Sequence, residues 1–132
     1  MQAGIDEMRV LIVEDNAQMR QMIKLFLRGL AKEIAECGDG AEALAAYREF
    51  APDWVVMDIG MDKVDGLEAT RQIVAAFPLA RIVMLTQYDD PALRQAARKA
   101  GALAYLTKSD LLPLRKLLEH GVDEGRSTPN SS

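Results

Sequence analysis

Trp54-Val55-Val56-Met57-Asp58-Ile59-Gly60-Met61-Asp62 is the stretch on which the fold turns. Four large apolar residues follow Pro52 and Asp53, and the run stops at Asp58 and Gly60. A short apolar run without polar alternation, bounded by turn residues, predicts a strand covered on both faces, as in a parallel sheet packed between helices. Asp58 then stands where that strand leaves the core.

Working outward, the pattern recurs. Met8 to Val13 is apolar apart from Arg9 and ends in Glu14-Asp15-Asn16, and Arg81 to Leu85 ends in Thr86-Gln87-Tyr88. Ala102 to Leu106 is a shorter strand that exits at Thr107-Lys108-Ser109. Lys32 to Cys37 carries more charge and suits a sheet edge. Helical spacing fills the intervals. Met19, Met22, Ile23, Phe26, Leu27 and Leu30 form one stripe, with Leu25 on the opposite side as a candidate docking residue. Asp39 and Asp65 each precede a glutamate by three residues, the capping-box spacing that opens a helix. Pro78 ends the second of these; Asp90-Pro91 opens the next and Gly101 closes it. A last helix runs from about Asp110 to His120 with Pro113 in its first turn. Five strands alternating with five helices through short links predict an α/β doubly wound parallel sheet.

Residues 8–120 form the predicted domain, with 1–7 as an N-terminal extension and 121–132 as a polar tail or truncated linker. A chain of 132 residues with 49% hydrophobic content suffices for one core. Its net charge of −4 offers no basic footprint for nucleic acid, so direct nucleic-acid binding is not expected. No apolar run reaches membrane-spanning length and no signal-peptide pattern opens the chain, so the expected compartment is the cytoplasm. Cys37, the single cysteine, reads as a small buried hydrophobe.

The strand exits carry the chemistry. One parallel sheet would bring Glu14, Asp15, Asp58, Thr86 and Lys108 to a single rim, where open α/β sheets bind ligands. Singly each has a plain structural role: Asp15 or Asn16 as a helix cap, Asp58 as a turn acid, Lys108 as an exposed lysine. Together at matching ends of separate strands they point to a site. Three gathered carboxylates repel one another unless a cation joins them, and hard oxygen ligands in small number suit Mg²⁺. Such an ion with Lys108 would cancel the acids' formal charge and admit a phosphoryl group. Asp39, Asp65, Asp90 and Asp110 read as caps, Asp53 as a residue of the opposite rim, and His120 as a surface residue.

Val13-Glu14-Asp15-Asn16, Met57-Asp58-Ile59-Gly60-Met61, Asp65-Gly66, Val83-Met84-Leu85-Thr86 and Tyr105-Leu106-Thr107-Lys108 resemble the receiver domain of two-component response regulators over about residues 8 to 120. The resemblance implies a flavodoxin-like sheet in the order 2-1-3-4-5. It implies that Asp58 accepts a phosphoryl group from a sensor histidine kinase or a histidine phosphotransfer protein. Glu14, Asp15, Asp58 and the Gly60 carbonyl would hold Mg²⁺, Lys108 would pair with Asp58, and Thr86 with Tyr105 would switch the face formed by the fourth helix, fifth strand and fifth helix. That face could pair two copies. The Thr107-Lys108-Ser109 pattern is similar to receivers joined to LuxR-type DNA-binding domains, which leaves a stand-alone regulator and a piece of a larger one both open. The implied protein is a signalling domain that assists its own phosphorylation and dephosphorylation, not a separate enzyme. Asp62, Gln87 and Ser109 depart from the usual pattern and bear on how long the phosphorylated form persists. Two rival readings fit less well. A flavin-binding protein would need a loop after the first strand that welcomes phosphate, whereas Glu14-Asp15 repels it. An aspartyl phosphatase of the haloacid-dehalogenase kind would need an acid at position 60, which is glycine.

Overall fold

A computed structural model describes residues 8–61 and 65–121. The proposed extension 1–7, Asp62, and all of the polar tail after Gly121 lie outside the described residues. The strands are β1 (Arg9–Val13), β2 (Glu33–Cys37), β3 (Trp54–Asp58), β4 (Ile82–Thr86) and β5 (Ala104–Thr107). The helices are α1 (Ala17–Phe26), α2 (Ala43–Phe50), α3 (Gly66–Ala76), α4 (Pro91–Ala100) and α5 (Leu112–His120). All pairings are parallel and the order is β2-β1-β3-β4-β5, as the sequence implied.

Period-2 side-chain direction divides the core between the two faces of the sheet. Val10, Ile12, Val56, Val83 and Leu85 pack on one face with Ile23 of α1, Leu27, and Leu114 and Leu118 of α5. Leu11, Val13, Val55, Met57, Ile82 and Met84 pack on the other with Ala43 of α2, Ala69 and Ile73 of α3, and Ala97 of α4. Every residue of β3 and β4 is buried, so both central strands are sealed up to their last residue. Each large side chain removed from water in this way contributes about 1.5–3 kcal/mol, which fixes where the strands stop.

Several boundaries differ from the sequence reading: β4 is shifted one residue on, to Ile82–Thr86, α5 starts at Leu112 and not at Asp110, and three others have a clear local reason. The stripe from Met19 to Leu30 predicts one helix, but α1 ends at Phe26. Leu27 and Leu30 stay buried because a short turn follows, with Leu30 N–H bonded to Leu27 O and Gly29 at φ +80°. Asp39 does cap its helix by accepting from Glu42 N–H at 3.1 Å, through a 3₁₀ turn at Gly40–Glu42 that precedes α2. Ala102 belongs to the end of α4 and not to β5, since its N–H closes on Ala97 O after Gly101 turns left-handed at φ +115°. Asp65 and Asp90 cap α3 and α4 as expected. Among the described residues no helix is long and apolar enough to cross a membrane.

Candidate functional site

Glu14 immediately follows β1, and its N–H is tied to Cys37 O of β2 at 3.0 Å. Its side chain turns inward and is 1% exposed. Asp58, the last residue of β3, is 3% exposed, and its Oδ1 accepts from Gly60 N–H at 3.1 Å. Lys108 reaches both acids from beyond β5: Nζ lies 3.0 Å from Asp58 Oδ1 and 3.1 Å from Glu14 Oε1. Its backbone is anchored by Lys108 N–H donating to Thr86 O at 2.7 Å, which extends the β4–β5 ladder one step past the strand. Asp15 is exposed beside this pair. One carboxylate oxygen from each of Glu14, Asp15 and Asp58 lies within 4.8 Å of the others.

Electrostatics follow from that crowding. Burial, reinforced by the charge of Asp58, lifts the Glu14 carboxyl from 4.5 to about 7 against the pull of Lys108. Burial alone would lower the Lys108 ammonium, but the hydrogen bond and charge of Asp58, with Glu14, outweigh it and raise the value. One cation therefore serves two buried acids, and the third acid stands at the opening. Asp58 Oδ2 is buried and has no hydrogen-bond partner among the described residues. Such an oxygen is costly to leave unpaired, so an acidic cluster with an unsatisfied inner atom fits a hard divalent cation.

Thr86 is 1% exposed at the end of β4, and its Oγ1 accepts from Tyr88 N–H at 3.3 Å. Tyr105 lies further off on β5, half-buried, and donates its hydroxyl to Tyr88 O at 3.1 Å, with the Arg94 guanidinium 4.7 Å over its ring. The two residues of the expected switch thus meet on the backbone of one residue, Tyr88. Gln87 is exposed and lines the cleft of about 510 Å³ that Glu14, Asp15, Asp58, Gly60 and Lys108 also line. Asp53 sits at the opposite rim, accepting from Arg9 N–H at 2.8 Å, and His120 is exposed.

Two contributors were not evident from sequence. Gly66 approaches the site's backbone so closely that a Cβ there would lie 2.1 Å from Asp58 O. Arg20 donates from Nη1 to Glu14 O at 2.7 Å. The Asp-Gly pair at 65–66 carried a hint of the first, whereas the second rests on a contact between elements that no local pattern encodes.

A sheet of this order with a buried acid–lysine cluster at its strand exits is the architecture of a signalling receiver, and residues 10–119 match the response regulator receiver domain model. The chain belongs to that family, the receiver domains of two-component signalling. Its relatives include the transcriptional regulatory protein PdtaR of Mycobacterium tuberculosis, 43% identical over 114 residues, covering 83% of this chain and 55% of PdtaR. The chain thus spans about half the length of that relative. Chemotaxis protein CheY of Thermotoga maritima is 39% identical over 101 residues, covering 76% of this chain and 84% of CheY. A LuxR-family two-component response regulator from Aurantimonas sp. SI85-9A1 superposes with a TM-score of 0.81 at 34% identity, over 91% of this chain and 87% of that one.

Proposed function

We propose that Asp58 accepts a phosphoryl group from a phosphohistidine on a sensor histidine kinase or histidine phosphotransfer protein, in the cytoplasm and with Mg²⁺. The observation that carries this reading is the division of labour between the two oxygens of Asp58. Oδ1 is held by Lys108 and Gly60 N–H, while Oδ2 is left without a partner beside the other acids. The bond that forms joins an Asp58 carboxylate oxygen to phosphorus as the phosphorus–nitrogen bond of the donor breaks, and the other carboxylate oxygen stays with the cations. Such a transfer needs alignment and charge neutralisation more than a general base.

Glu14, Asp15, Asp58 and the Gly60 carbonyl would hold Mg²⁺, which supplies the positive charge that offsets the incoming phosphoryl oxygens. Lys108 keeps Asp58 in place before transfer and is near enough to turn toward a phosphoryl oxygen afterwards. Thr86 donates its hydroxyl to another oxygen, and the movement of Oγ1 toward that oxygen draws it away from Tyr88 N–H and loosens the backbone that Tyr105 grips. The face of α4, β5 and α5 then changes its affinity for a partner, a second copy or a LuxR-type output domain. Asp62, Gln87 and Ser109 set how long that state lasts. The chain assists its own phosphoryl gain and loss.

Incubation with Mg²⁺ and acetyl phosphate should add one phosphoryl group to the intact mass. Asp58→Asn should abolish the gain, and an unchanged mass for the unmodified protein would overturn the reading.

A further inference from the structure

Arg20 and Glu36 look in sequence like surface charges, one on the first helix and one on the edge strand. In the fold they meet behind the acidic cluster. Arg20 uses one arm of its guanidinium, Nη1, to hold Glu14 O at 2.7 Å, and Nε to hold Glu36 Oε1 at 2.8 Å. Lys24, one turn further along α1, pairs with the other oxygen of Glu36. A hydrogen bond from Lys24, with further help from Arg20, holds the Glu36 carboxyl below its ordinary value.

The carbonyl gripped by Arg20 belongs to the peptide that joins Glu14 to Asp15. The preceding peptide is held from the other side, through Glu14 N–H to Cys37 O at 3.0 Å. Two successive peptides at the exit of β1 are therefore fixed, one by β2 backbone and one by a side chain of α1 that is itself braced on β2. Their orientation decides where the Glu14 and Asp15 carboxylates point. Asn16 completes the arrangement by accepting Met19 N–H at 2.8 Å, which starts α1 and brings Arg20 round to face Glu14.

We propose that Arg20, braced by Glu36, is a positioning residue that sets the Glu14–Asp15 pair to receive a divalent cation. The inference rests on reading this rim as a Mg²⁺ site. A positive charge this close to the acids repels a cation, so if Arg20 acted through its charge alone its removal would tighten Mg²⁺ binding. Positioning predicts the reverse. Lysine keeps the charge but lacks the planar fork that spans two acceptors at once, so Arg20→Lys separates the two effects.

The experiment is calorimetric titration of Mg²⁺ alone into the unmodified protein, Arg20→Lys, Arg20→Gln and Glu36→Gln, with melting in chelator to establish that each variant is folded. Arg20→Lys and Arg20→Gln should each weaken binding by about tenfold or more, the range for loss of a group that orients metal ligands. Glu36→Gln should weaken it in the same direction and stands in if the Arg20 variants fail to fold. Arg20→Lys binding as tightly as the unmodified protein, Arg20→Gln binding more tightly, or Glu36→Gln leaving affinity unchanged would each overturn the clamp. If the unmodified protein binds no Mg²⁺, the site reading itself falls and takes this inference with it. Binding by the unmodified protein with no loss in the variants sinks the clamp alone.

Discussion

Glu14 is the residue whose placement costs the metal-free protein most clearly. Its carboxyl sits at about 7 in the folded chain and returns toward 4.5 on unfolding. Because the folded value is the higher one, the associated stabilisation is whole below about pH 4.5 and is lost as pH climbs through about 7. A gap of that size is worth on the order of 3 kcal/mol. In chelator, the urea midpoint should therefore fall between about pH 5 and pH 7.5, and Glu14→Gln should flatten that fall. Equal slopes for the two proteins would show that Glu14 does not titrate in this range. At this scale the sequence was informative about the acids, Thr86 and Lys108 because each stands at or just past the end of a strand and a parallel sheet aligns strand exits. It was silent about Arg20, whose partner is a backbone carbonyl six positions away and whose brace lies on another strand.

Among the elements, the start of α3 is the tightest joint. Gly66 N–H donates to Ile59 O at 3.0 Å, which docks the helix against the loop that leaves β3. A Cβ at this position would meet Asp58 O at 2.1 Å and Ile59 Cα at 2.8 Å, both backbone atoms that cannot swing aside. Gly66→Ala should therefore lower unfolding free energy in urea by about 2 kcal/mol or more. Gly38→Ala, with nothing within 4 Å, should stay within about 0.5 kcal/mol and serves as control. A Gly66→Ala loss no larger than the control's would mean that the helix can retreat without strain. Element types were legible because apolar runs and helical stripes differ in period. The ends of α1 and β5 were not, because Leu27 and Leu30 keep helical spacing through a turn, and Ala102 looks the same in a strand as in a helix cap.

On the scale of the whole molecule, alternation of strand and helix was enough to read a doubly wound sheet. The order of the strands came from motif resemblance, since nothing in periodicity says which strand neighbours which. The sheet's direction then sorts its polar residues between two rims. Acids and Lys108 gather where the strands end, while Arg9, Asp53 and Arg81 interlock where they begin. Trp54, the single tryptophan, opens β3 at that second rim, fully buried, with the Arg81 guanidinium 4.9 Å over its ring. Asp58 lies four positions further along the strand, about 13 Å away at the usual rise. Its indole N–H has no hydrogen-bond partner among the described residues, and the buried ring is shielded from water. Intrinsic fluorescence should accordingly be blue-shifted in the native protein, move sharply to the red on denaturation, and hold its intensity when Mg²⁺ is added. Quenching by Mg²⁺ would show that the two rims are linked. The chain thus carries its own optical gauge of folding, set at the end of the sheet away from the chemistry.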